Sequence, residues 1–270
     1  MAGEPAFRTD LYKGTAEYYD RFRPPYPAAL LDDLGERLPL DDSSRVLDLA
    51  CGTGQIAFAL AGRVDEVLGI DQEAETVAFA QAKARTRGVA NVRFIAGAAE
   101  TTALEGDFDL VGIGNAFHRL DRDTVAARVT PRLRPRGCVA LLWGEPPGFG
   151  DQPWERVMHA TTERWVDTLG VRDRVPEGWE EAIARDPHAE VFRRAGLTYE
   201  GSFDFPAVET WTVESLIGFV YTTSFLNRTV LGEHADAFEH DLRERLLECR
   251  ADGVFTQAPT YRYELARRIA

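Results

Sequence analysis

The junction Val46-Leu47-Asp48-Leu49-Ala50-Cys51-Gly52-Thr53-Gly54 constrains this chain more than any other stretch. Its first five residues form an apolar run too short for a buried helix, and a helical stretch over 55–62 follows at once, so strand, tight turn and helix succeed one another without a gap. Small residues at 50, 52 and 54 let the backbone pass close to a ligand, and the helix start offers unpaired N–H groups. The same rhythm continues downstream, with strands expected at 66–70, 92–95, 108–113 and 138–143 and helices at 73–87 and 121–133. Strands alternating with helices predict an α/β fold with a parallel sheet and right-handed crossovers.

Upstream, Leu30, Leu31, Leu34 and Leu38 recur at helical spacing and predict a helix over 28–38. The segment 10–23 is aromatic and charged, with a helix expected over 10–22, and Pro24-Pro25-Tyr26-Pro27 separates it from the helix that follows. After Trp143 the rhythm changes: a loop at 145–151, helices at 154–169, 213–226 and 233–249, and strands at 197–205 and 260–267. The expected organisation is a lid segment over 1–27, an α/β core over 28–144, and a helical cap carrying the last strands over 145–270.

Two nucleotide-like cofactors compete for the glycine turn. Gly52-Thr53-Gly54-Gln55-Ile56-Ala57 fits the dinucleotide pattern, so NAD and an oxidoreductase must be weighed. Asp48 favours the other choice: a carboxylate facing the ligand from the strand end repels a pyrophosphate and stabilises an ammonium or sulfonium. S-adenosylmethionine carries both cations. Asp71, at the end of the second strand in Gly69-Ile70-Asp71, can bond two ribose hydroxyls of either cofactor.

Partners follow from charge. With 44 acidic against 31 basic residues the net charge is −13, which repels phosphate backbones and anionic lipid, so neither nucleic acid nor membrane is expected as a partner. The start Met1-Ala2-Gly3-Glu4-Pro5-Ala6-Phe7-Arg8 lacks the basic-then-apolar pattern of a signal peptide. Cys51, Cys138 and Cys249 give neither a disulfide framework nor a metal spacing, which predicts a reducing cytoplasm and no metal. A homo-oligomer remains open.

The set Asp48 to Gly54, Asp71 and Gly114-Asn115-Ala116-Phe117-His118 resembles the class I S-adenosylmethionine-dependent methyltransferases. Tyr18-Tyr19-Asp20-Arg21-Phe22-Arg23-Pro24-Pro25-Tyr26-Pro27 is similar to the leader of their small-molecule, natural-product branch. The resemblance implies a Rossmann-like seven-stranded sheet whose last strand runs antiparallel, with the cofactor over the carboxyl ends of the strands. It implies that Asp48 and Ala50 approach the methionine amino end, Gly52 passes beneath the donor, Asp71 holds the ribose and Gln72 flanks adenine. Ala50 stands where the family has glycine, which suits a residue of negative φ. Ala98 replaces an acid, so adenine would rest on the backbone near Ala98 and Ala99, with Glu100 beside them.

Methyl transfer is an in-line displacement that needs alignment and exclusion of water. Asn115 is expected to offer its carbonyl to the donor ammonium, Phe117 to wall the methyl group, and His118 to take a proton near neutral pH. Tyr18 and Tyr19, on the lid, can bond the donor carboxylate or the acceptor, with Arg23 as a further carboxylate partner. Trp143, Glu145, Trp154 and the face 221–228 are candidate substrate contacts. The expected reaction is methylation of an amine nitrogen, or a hydroxyl oxygen, of a small natural product such as a sugar-bearing antibiotic intermediate. An NAD-dependent oxidoreductase and a non-catalytic cofactor-binding module are the alternatives.

Overall fold

In the computed structural model, which describes residues 7–269, neighbouring residues of the opening strand go to opposite sides of a sheet. Val46 joins one apolar layer and Leu47 the other, the two-residue period of an extended chain. The chain runs through α1 (Ala16–Phe22) and α2 (Ala28–Arg37) into β1 (Arg45–Leu49), α3 (Gln55–Leu60), β2 (Glu66–Asp71), α4 (Ala74–Arg87) and β3 (Val92–Ala96). Next come β4 (Phe108–Gly114), α5 (Arg122–Val129) and β5 (Leu133–Gly144). The second half holds α6 (Pro153–Leu169), α7 (Trp179–Arg185), α8 (His188–Arg194), β6 (Leu197–Pro206) and β7 (Glu209–Thr212). It ends with α9 (Val213–Val220), α10 (Arg228–Leu231), α11 (Ala235–Cys249), β8 (Val254–Gln257) and β9 (Thr260–Arg268).

Seven strands form one sheet in the order β3-β2-β1-β4-β5-β9-β6. The first five pair in parallel, and β9, the last in sequence, runs antiparallel to both its neighbours. One layer packs α2, α3 and α4 on the sheet through Leu30, Leu34, Ile56, Leu60 and Ala80. The opposite layer packs α5 and α8 through Val125, Val129, Val191 and Phe192. A third cluster builds the cap from α6, α9, α11 and the two-stranded β7–β8 sheet, where Trp211 pairs with Phe255. Strand order reverses between β1 and β4, so the loops leaving their carboxyl ends part and leave a crevice. No helix among the described residues is long and apolar enough to cross a membrane.

Three sequence expectations shift. The helix read over the segment from residue 10 begins only at Ala16, because Gly14 takes φ +75 and the Thr15 hydroxyl donates to the Tyr12 carbonyl, closing a turn. The helix read over 213–226 ends at Val220, where Thr222 and Thr223 turn their hydroxyls back onto the carbonyls of Phe219 and Val220. The helix from residue 121 ends at Val129, just before Pro131, and β5 already starts at Leu133. Within the expected cap, α8 instead belongs to the layer beneath the sheet.

Candidate functional site

A cavity of about 320 Å³ lies at the carboxyl ends of β1, β2 and β4, a size typical of a site for one small ligand. Its floor is the glycine turn. Ala50, Gly52, Asp71 and Gln72 line it, Ala98 and Ala99 close one end and Asn115 the other. The facing wall is the N-terminal segment, through Phe7, Thr9, Leu11, Tyr12, Thr15 and Tyr19. That wall is tied to the body at several points: Gln72 Nε2 donates to the Thr9 carbonyl at 3.4 Å and Asn227 Nδ2 to the Leu11 carbonyl at 3.1 Å. Lys83 Nζ, from α4, donates to Asp20 Oδ1 at 2.5 Å and to the Thr53 carbonyl at 3.3 Å.

The Asp71 carboxylate is anchored through both of its oxygens. Its Oδ2 accepts the Gly52 N–H at 2.8 Å and its Oδ1 accepts the Glu73 N–H at 2.9 Å, which fixes the carboxylate while leaving a lone pair on each oxygen. Burial pushes its pKa up and the two backbone bonds pull it down. Glu73, which also lines the cavity, is raised by burial and by the nearby Asp71 charge. Arg8, paired with Asp10, and Arg119 also line the cavity.

The turn is strained where the sequence departs from glycine. Ala50 takes φ +54, the left-handed region, against the expectation of a negative angle. Gly52 also has a positive φ, and a Cβ built there meets nothing within 4 Å, so its floor is open space facing the cavity. Ala50→Gly is expected to raise stability by about 1 kcal/mol, because a Cβ in the left-handed region is strained. The midpoint of urea unfolding measures it, and an unchanged or lower midpoint contradicts the strain.

Asp48 stands elsewhere than expected. Alternation along β1 sends it to the face that carries α3, where it is 1% exposed, Oδ2 accepts the Ala57 N–H at 2.9 Å, and it does not line the cavity. Desolvation, with the Asp71 charge behind it, pushes its pKa up to about 7. A carboxylate facing the ligand, the premise that decided between cofactors in the sequence, is not what this residue provides.

Other expected site residues also separate. Phe117 is buried beneath β4, stacked on Phe192 with centroids 5.6 Å apart, and does not face the cavity. His118 packs against the rings of Trp179 and Phe7, which also touch each other, and accepts the Arg119 Nε–H at Nε2, 3.1 Å away. Burial, then Arg119 and His188, lowers its pKa to about 3, so it stays neutral at physiological pH and lines no cavity described here. Tyr18 packs edge-on against Tyr221 and joins the cap cluster, whereas Tyr19 lines the cavity. Tyr221 is core, its hydroxyl donating to Glu239 at 2.5 Å, and Asn227 caps α10. The face 221–228 therefore holds the cap together instead of lining a site.

Arg23 lines a second, smaller cavity of about 30 Å³ beside the first. Gln55, Glu145, Trp211, Gln257 and Tyr261 are among its other lining residues, and Asn115 lines both cavities. Asn115 has φ +52 and its Nδ2 donates to the Tyr26 hydroxyl at 3.3 Å. Arg119 and Leu120 follow His118 directly and were within reach of sequence reasoning. Gln257 was not: only the β7–β8 pairing brings it to Trp211, whose Nε1 donates to Gln257 Oε1 at 2.9 Å.

A family model described as a methyltransferase domain matches residues 46–137. An uncharacterized methyltransferase of Schizosaccharomyces pombe is 24% identical over 229 residues, covering 84% of this chain and 82% of the relative. A trans-aconitate 2-methyltransferase of Deinococcus radiodurans is 33% identical over 141 residues, and the match spans 51% of this chain and 51% of that relative. The crystal structure of the YcgJ protein of Bacillus subtilis shares the fold with a TM-score of 0.53 at 19% identity, covering 90% of this chain and all of that one.

Proposed function

Residues 46–137 mark this chain as a class I S-adenosylmethionine-dependent methyltransferase, and from that premise we propose that it methylates a small molecule whose accepting atom needs no base from the protein, an amine nitrogen of a natural product first among them. The donor supplies an electrophilic methyl group on a sulfonium. The chain's own residues hold and align: Asp71 offers two anchored oxygens to vicinal hydroxyls, Ala98 and Ala99 border the adenine end, and residues 7–19 exclude water. Both cavities meet at Asn115, so an acceptor enters from the side of the smaller one.

The observation that carries the choice of acceptor is His118. An imidazole whose basicity burial has lowered and which lines neither cavity cannot relieve a hydroxyl of its proton, whereas an uncharged amine arrives with its lone pair free. A carboxylate oxygen is the second reading, since it is ionised at neutral pH and one relative is named for trans-aconitate, a carboxylic acid. A role in antibiotic biosynthesis rests on the resemblance of the leader segment, a cytoplasmic location on the free thiols Cys51, Cys138 and Cys249, and the division into lid, core and cap at residues 27 and 144 on the placement of the cavities.

Incubation with methyl-labelled S-adenosylmethionine and matched amine, hydroxyl and carboxylate acceptors tests this. Label is expected in the amine, and His118→Gln is expected to keep turnover within about threefold, because general-base catalysis worth roughly 10²-fold or more is not supplied there. Label confined to hydroxyls, with turnover lost in His118→Gln, overturns the reading.

A further inference from the structure

The guanidinium of Arg23 is held on three sides. Its Nε donates to Thr222 Oγ1 at 2.8 Å, and its carbon lies 5.0 Å from the ring centre of Tyr19 and 4.5 Å from that of Phe219. It is part-buried, and among the described residues no carboxylate pairs with it. Several other arginines of this acidic chain are matched, among them Arg45 with Glu66, Arg37 with Asp33, and Arg194 with Asp123 and Asp186. A guanidinium fixed by stacking, with its terminal NH₂ groups uncommitted and turned to a cavity, is a prepared anion receptor.

We propose that Arg23 binds a carboxylate of the acceptor and thereby restricts this enzyme to compact acids that carry the accepting atom a few bonds away. The anchor end fits the space. A cavity of about 30 Å³ holds roughly two water-sized groups, the two oxygens of a carboxylate. Gln55 and Asn115 add amide groups; Glu145, which also lines the cavity, has its Oε2 engaged by the Thr260 N–H at 2.8 Å, and among the described residues the Arg23 guanidinium is the one cation there to meet a carboxylate. The donor also has a carboxylate, but Arg23 lines the smaller cavity and not the larger one. The proposal rests on the reading of the larger cavity as the donor site.

The test loads the protein with S-adenosylhomocysteine and titrates succinate against succinamide, and β-alanine against β-alaninamide, by calorimetry. In the native protein each acid is expected to bind at least tenfold more tightly than its amide. Arg23→Gln is expected to abolish that preference, with S-adenosylhomocysteine affinity kept within about twofold. Arg23→Lys, which keeps the charge and loses the fork, is expected to retain part of the preference, and thermal melting of each variant verifies the fold. No acid preference in the native protein, or a preference that survives Arg23→Gln, overturns the proposal. A tenfold loss of S-adenosylhomocysteine affinity in Arg23→Gln also overturns it, assigning the guanidinium to the donor. Failure of the native protein to bind S-adenosylhomocysteine at all instead defeats the donor-site reading beneath it.

Discussion

Asp71→Ala is expected to lower affinity for S-adenosylmethionine by roughly a hundredfold or more. In the native turn the carboxylate is oriented by two backbone donors, the N–H groups of Gly52 and Glu73, before any ligand arrives. A pair of hydroxyls then finds both oxygens already aimed, so this side chain has little ordering entropy left to lose on binding. A hydrogen bond to a charged group contributes about 1.5–3 kcal/mol, and two of them sum to at least about 3 kcal/mol, a factor of 10² in affinity. Alanine also releases the Gly52 N–H from its acceptor and loosens the turn itself. Asp71→Asn separates the two effects, because its one carbonyl oxygen can still accept a backbone N–H. It should fall between alanine and the native protein. Calorimetric titration with S-adenosylmethionine decides: a change under about threefold in Asp71→Ala means that the ligand does not lean on this carboxylate.

The sheet was legible in the sequence because its cause is local. Period-two alternation, short apolar runs and intervening helices are properties of neighbouring residues, and β1 to β5 lie within a few residues of where those patterns put them. Asp71, Gln72 and Asn115 were equally legible, since each sits at a strand end and the crevice forms there whatever the rest of the chain does. Asp48 shows the limit. Its position in the strand was right, but which face it took depended on the pleat, and the pleat sends it to α3 and the Ala57 N–H. His118 shows another: its surroundings come from Phe7 and Trp179, far apart in sequence, and only the tertiary fold puts them around it. The N-terminal wall fell between these cases. Its contribution to the site was expected, but Gly14 replaces the expected helix with a turn, and it is this turned segment that brings Thr9, Leu11 and Tyr12 to the cavity.

Asp48→Asn is expected to stabilise the ligand-free protein at pH 8 by several kcal/mol and to leave it unchanged near pH 4. The buried carboxyl titrates at about 7, against about 3.9 in an unfolded chain. Below pH 4 both states hold the proton and the residue contributes nothing to a pH slope. Between pH 4 and 7 the unfolded state gives the proton up while the folded state keeps it, so stability falls by up to about 1.4 kcal/mol for each pH unit. Above pH 7 both states are ionised and the penalty is constant, roughly 4 kcal/mol in full. Asparagine removes the titration and keeps an oxygen for the Ala57 N–H, so the Asp48 share of the slope should vanish. His118 acts in the opposite sense: its lowered pKa makes stability rise with pH between about 3 and 6.5. The difference between native and Asp48→Asn curves cancels that contribution, because Asp48 has no part in the His118 shift; Asp71, Tyr26 and Cys51 are coupled to Asp48, so the difference reads Asp48 together with their response to its charge. Urea unfolding at half-unit pH steps provides both curves. Parallel curves from pH 4 to 8 would mean that Asp48 is ionised throughout, with a compensating charge that the fold does not show.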